Sequence, residues 1–92
     1  MVSIKEATEN AITFAKNALE PERTIGLRLE EVESTKVENE DAWLITLSMI
    51  TDHPLAVFTD MPMNPKRDYK IFTVLKRTGE VTSMKIRELA NA

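Results

Sequence analysis

Tyr69-Lys70-Ile71-Phe72-Thr73-Val74-Leu75-Lys76-Arg77-Thr78-Gly79-Glu80-Val81-Thr82-Ser83-Met84-Lys85-Ile86 contains two strand-like runs joined by a turn centred on Thr78-Gly79. Both runs are rich in β-branched and aromatic residues, and one of the chain's two glycines falls where a three-residue or bulged loop needs positive φ. The stretch therefore reads as a β-hairpin. Upstream, Trp43, Ile45, Leu47 and Met49 alternate with Leu44, Thr46 and Ser48, the pattern of a half-buried strand with the first set inward. Trp43 suits a core anchor better than a stacking platform. Residues 27–37 look extended but alternate poorly: Leu27 and Leu29 share one parity, Val32 takes the other, and Glu30, Glu31 and Glu33 crowd between them. A bulge near Glu30-Glu31 reconciles the two halves, and Asn39-Glu40-Asp41 supplies a turn to the next strand.

A helix precedes the strands. Ser3 followed by Glu6 is a capping-box pattern, and Ile4, Ala7, Ala11, Phe14, Ala15, Ala18 and Leu19 recur every three or four residues as one apolar stripe. Four alanines in that stripe permit close approach to a sheet. Pro21 ends the helix, because the residue before a proline is pushed away from the α region. The expected fold is α+β, a single domain spanning residues 1–92: a helix over about 4–19 on a four-stranded antiparallel meander with strands over about 27–37, 42–50, 68–76 and 80–87. The helix stripe would bury Trp43, Ile45, Leu47, Phe72, Val74, Met84 and Ile86. Tyr69, Ile71 and Leu75 have the opposite parity, so the second face also carries apolar groups, which a sheet-to-sheet dimer or the proline-rich loop would hide.

Ninety-two residues build one small core, and a domain of this size gains from a partner subunit, so a homodimer is expected. No cysteine is present, which removes disulfides, thiolate zinc sites and thiol catalysis and fits a reducing compartment. The amino terminus lacks a basic start and an apolar core, and no run is long enough to span a bilayer, so the expectation is a cytoplasmic protein without a membrane partner. The net charge of −3 hides an asymmetry: residues 1–60 hold 12 acids against 5 bases, residues 61–92 hold 3 against 7. Lys70, Lys76, Arg77, Lys85 and Arg87 spread along the basic hairpin. They read as solvated charges guarding an edge, with a nucleic-acid groove formed by Lys70, Lys76, Arg77 and Lys85 as the alternative.

Residues 51–67 form a long loop in which Pro54, Pro62 and Pro65 break the pattern, and loops of this length are often functional. Leu55, Val57, Phe58, Met61 and Met63 there make an adaptable apolar surface for a partner if they do not tuck under the sheet. The only histidine, His53, sits between Asp52 and Pro54, with Asp60 downstream. Nothing places two of these groups at a useful separation for acid–base chemistry, and one histidine without cysteine is a poor metal set. The acidic run at Glu30–Glu33 lacks the regular oxygen spacing of a calcium loop. No nucleophile elbow, phosphate cradle or zinc-protease helix occurs. The expectation is a non-enzyme with no cofactor and no metal, a ligand cavity between helix and curled sheet being a third reading.

The order of elements and several residues resemble the PepSY-like family: Glu6-Ala7 with Ala11 and Ala15 in the first helix, Trp43-Leu44-Ile45-Thr46-Leu47 opening a strand, and Tyr69-Lys70-Ile71 leading to Thr78-Gly79-Glu80-Val81. The likeness covers most of the chain except residues 51–66, and small immunity-type proteins share it. It implies a non-catalytic domain that binds or inhibits another protein, often a peptidase, and carries over no catalytic residue. Many members are secreted or membrane-attached. A cystatin-like inhibitor shares the layout, but its glutamine-valine-glycine hairpin is not found here. The sequence thus points to a small protein-interaction module of inhibitor or immunity type, contacting its partner through residues 52–67 or an exposed sheet face.

Overall fold

The structure is a computed structural model and describes residues 1–50 and 66–87. Its first helix, α1 (Ile4–Ala18), begins at the capping box: the Ser3 hydroxyl accepts the Glu6 amide, and the Glu6 carboxylate accepts the Ser3 amide, both at 3.1 Å. At the other end Leu19 turns extended, its N–H still donating to the Ala15 carbonyl, and Pro21 opens a short 3-10 turn, Pro21–Arg23. Four strands follow, β1 (Arg28–Val37), β2 (Glu40–Ile50), β3 (Arg67–Leu75) and β4 (Val81–Arg87), ordered β1-β2-β3-β4 with every neighbour antiparallel. The fold is α+β, a helix packed on a four-stranded meander, as the periodicities require.

Two irregularities set the register. Between Leu29 and Glu31 the β1–β2 pairing slips by one, so Leu29 lies opposite Leu47 and Val32 opposite Ile45, all on the helix side. The bulge is the device that lets two parities share the helix side, where Val32 packs on the core and Leu29 stays exposed at its edge, and it leaves Glu31 and Glu33 together on the far side. The β1–β2 turn is tighter than the sequence suggests. Glu38 and Asn39 both take positive φ (49° and 69°), and β2 resumes at Glu40 rather than after Asp41. A two-residue turn with both centres left-handed matches the natural twist of the strands, which favours it over a longer loop.

Ala7, Ala11 and Ala15 are wholly buried, and their bare Cβ atoms let the helix lie close over β2 and β3. Ile45, Leu47, Met49, Phe72 and Val74 rise from the sheet to meet them, and the Phe14 and Phe72 rings pack edge to face at 6.2 Å. Trp43, Val32 and Met84 close the margins of this cluster. Ile86 does not join it. Opposite Lys70 on the outermost strand, it stays 75% exposed, because the buried cluster is centred on β2 and β3 and β4 lies at the sheet's margin.

The β3–β4 turn is fastened to the start of the helix. Val2 N–H donates to the Lys76 carbonyl at 2.7 Å, the Asn10 amide to the Gly79 carbonyl at 2.9 Å, and the Trp43 indole N–H to the Val2 carbonyl at 3.4 Å. Gly79 holds φ +80°, and a Cβ there would sit 2.8 Å from Asn10 Nδ2 and 3.0 Å from Val2 Cγ1. Gly79→Ala should therefore cost about 1–2 kcal/mol, from left-handed strain together with the lost fit to the helix. Ala11→Leu, which forces three carbons into the helix–sheet contact, should cost about 1–3 kcal/mol. Urea titration followed by circular dichroism checks both, and a midpoint unchanged from the parent chain would refute the close helix approach.

Candidate protein-binding face

Among the described residues, α1 covers one face of the sheet and no helix covers the other. Register fixes what that open face presents. Four cross-strand rows run over it from β1 to β4: Arg28, Ser48, Tyr69 and Arg87; then Glu31, Thr46, Ile71 and Lys85; then Glu33, Leu44, Thr73 and Ser83; and last Thr35, Ala42 and Leu75. Acids therefore gather on the β1 side and bases on the β4 side. Leu44, Ile71, Leu75 and Tyr69, all half-buried, occupy the middle.

Hydrogen bonds knit the polar residues into the sheet. The Glu30 carboxylate accepts the Ser48 hydroxyl and the Arg28 Nε–H, each at 2.6 Å, while Arg67 Nη1 donates to Ser48 Oγ at 3.0 Å and to the Gly26 carbonyl at 2.8 Å. These bonds, first the one from Ser48 and then that from Arg28, hold the Glu30 carboxyl below the ordinary glutamate range. Arg87 reaches from β4 to Thr46 Oγ1 and to the Glu31 carboxylate, lying across the face. Ser83 donates to Thr73 at 2.8 Å. Ser48 is completely buried and Thr46 nearly so under their longer neighbours, so the face has a satisfied polar floor with an apolar centre.

The residues expected to form a basic groove are distributed over both faces. Lys70, only 6% exposed, stands on the helix side between Leu47 and Ile86. Lys76 lies 3.9 Å from the centre of the Trp43 ring and donates to Ser34 Oγ at 2.6 Å. Arg77 pairs with Glu40 at 2.7 Å beside the β1–β2 turn. Lys85 alone of the four points onto the open face. Leu55, Val57, Phe58, Met61 and Met63, with Asp52, His53 and Asp60, lie outside the described residues. Among the described residues there is no group of three or more side chains able to hold a metal ion, and no helix long and apolar enough to cross a membrane.

Sequence reasoning found the face but missed the Arg28–Glu30–Ser48–Arg67 chain. Its only signal was the shared parity of Ser48 with Thr46 and Leu44; the partners depend on the bulge. Compared with family models, with curated proteins and with solved structures, the chain matches none.

The Glu30 network carries a pH signature. A carboxyl whose folded pKa is depressed contributes stability that is complete above its unfolded value and is lost as pH falls through the folded one. Unfolding midpoints should therefore decline on acidification from the ordinary glutamate value of 4.5 downward, and Glu30→Gln should flatten that decline. Thermal melts between neutral and acidic pH test this, and an equal decline in parent and variant would remove Glu30 from the account.

Proposed function

We propose that the chain is a small non-catalytic protein-interaction module, of inhibitor or immunity type, that holds another protein on its open sheet face. One observation carries the reading: an apolar centre of Leu44, Ile71 and Leu75 on a rigid, hydrogen-bonded polar floor, uncovered by any helix among the described residues. Such a surface resembles a binding patch, with an apolar core inside a charged rim. Backbone pairing along all four strands holds it in place without a ligand. The PepSY-like resemblance supports the same class of role, and the scattering of Lys70, Lys76, Arg77 and Lys85 over two faces favours protein over nucleic acid as the partner.

Leu44→Glu and Ile71→Glu place charge in the centre of the patch and should reduce retention of the bound protein at least about tenfold, the effect of some 1.4 kcal/mol. Ile86→Glu, on the opposite side of the sheet, should leave retention unchanged. The measurement is affinity capture from the native host with quantitative mass spectrometry, folding being checked by Trp43 emission. Retention indifferent to Leu44 and Ile71, in variants that fold, would sink the reading.

A further inference from the structure

A cross-strand row with opposite charges at its two ends restricts what can lie on it. On the open face Glu31 and Lys85 stand at opposite ends of one cross-strand row, with Thr46 and Ile71 between them, and Glu33 stands beside Glu31 on the acidic side. Glu33 and Lys85 have no ion-pair partner among the described residues.

Two sheets packed face to face keep their strand directions within about 30° of each other and stand about 10 Å apart. For two identical faces, the two limiting symmetry axes in the plane between them run along the strands or across them. An axis across the strands sets β1 over the second copy's β1, acid against acid. An axis along the strands sets β1 over the second copy's β4 and superposes each row on its own reverse. Glu31 then faces Lys85 of the second copy, Lys85 faces its Glu31, and Thr46 and Ile71 exchange places over the centre. The twist between the sheets shifts the outer strands by about one residue, which keeps Glu31 within reach of the opposing ammonium. In the neighbouring row Arg28 meets Arg87 of the second copy, but each guanidinium already has its own carboxylate, Glu30 and Glu31.

The area is also sufficient. Four strands about 4.8 Å apart and about 30 Å long present roughly 600 Å² in projection, and more once side-chain relief is included. That is the order of the ~800 Å² per partner buried in a standard interface.

We infer that the open face is self-complementary and that its occupant is a second copy of this chain, related by a two-fold axis running along the strands. This rests on the reading of that face as a protein-binding surface and names its partner. Beside the axis Ile71 packs over Thr46 of the second copy and Leu44 over its Thr73, and two symmetry-related acid–base contacts set the register.

Charge exchange tests it. Sedimentation equilibrium should give twice the chain mass for the parent protein. Lys85→Glu alone and the pair Glu31→Lys with Glu33→Lys should each shift the molecule to the single-chain mass, since each sets like charges together. Mixing those two variants, or combining all three substitutions in one chain, should restore the double mass, because position 85 again faces the opposite sign at positions 31 and 33. A parent chain that stays single up to about 1 mM overturns the inference, as does a double mass that none of the charge variants alters. If a single-chain parent still retains a different protein through Leu44 and Ile71, the protein-binding reading stands without self-association; if it retains none, both fall.

Discussion

A sheet has two faces, and the described residues supply one helix. The consequences of that constraint run through the molecule. The helix is committed to the side bearing Ile45, Leu47, Met49, Phe72 and Val74, where three buried alanines bring it close enough to exclude water from five large side chains. No helix among the described residues covers the remaining side. Its floor is accordingly built from serine and threonine hydroxyls that bond one another and the charged rim, leaving no described buried polar side-chain atom without a partner. Unmet polar groups there would cost more than the hydrogen bonds gain, so the network is a condition for the face to exist.

Local signals made the architecture readable in advance. The Ser3–Glu6 box, the alanine stripe, Pro21 and the glycine of the second hairpin each act within a few residues of themselves, and each appears where the sequence places it. The bulge was also legible, because two parities in one strand leave no other way to turn both Leu29 and Val32 toward the helix side, although only Val32 packs on the core and Leu29 stays exposed. The first hairpin turn was misplaced by about two residues, since Asn39 and Glu40 both look turn-like and only backbone geometry shows the left-handed pair at Glu38-Asn39. Ile86 shows a different limit: parity assigns a residue to a face but does not say how far across that face the helix reaches.

The open-face network was the least readable part. Ser48 bonds Glu30, 18 residues away in sequence, and Arg67 bonds Gly26, 41 residues away, so both contacts exist only once the bulge and the β2–β3 register are fixed. A serine in an alternating strand gives no hint of such partners. The sign separation across the face was partly visible as an excess of bases after residue 60, but its assignment to opposite ends of shared rows needed the pairing itself.

Trp43 gathers several of these features at one ring. It is the chain's sole tryptophan, its indole N–H is held by the carbonyl of Val2, and the Lys76 ammonium lies over its face. Val2, Lys76 and Trp43 come from the amino-terminal lead-in, the end of β3 and the start of β2, so their meeting requires the helix to be seated on the finished sheet. The protein thus carries an intrinsic optical reporter for one event, the closure of its amino terminus over the β-meander. That reporter sits on the side of the sheet away from Leu44 and Ile71, and its signal separates the integrity of the fold from the occupancy of the face behind it.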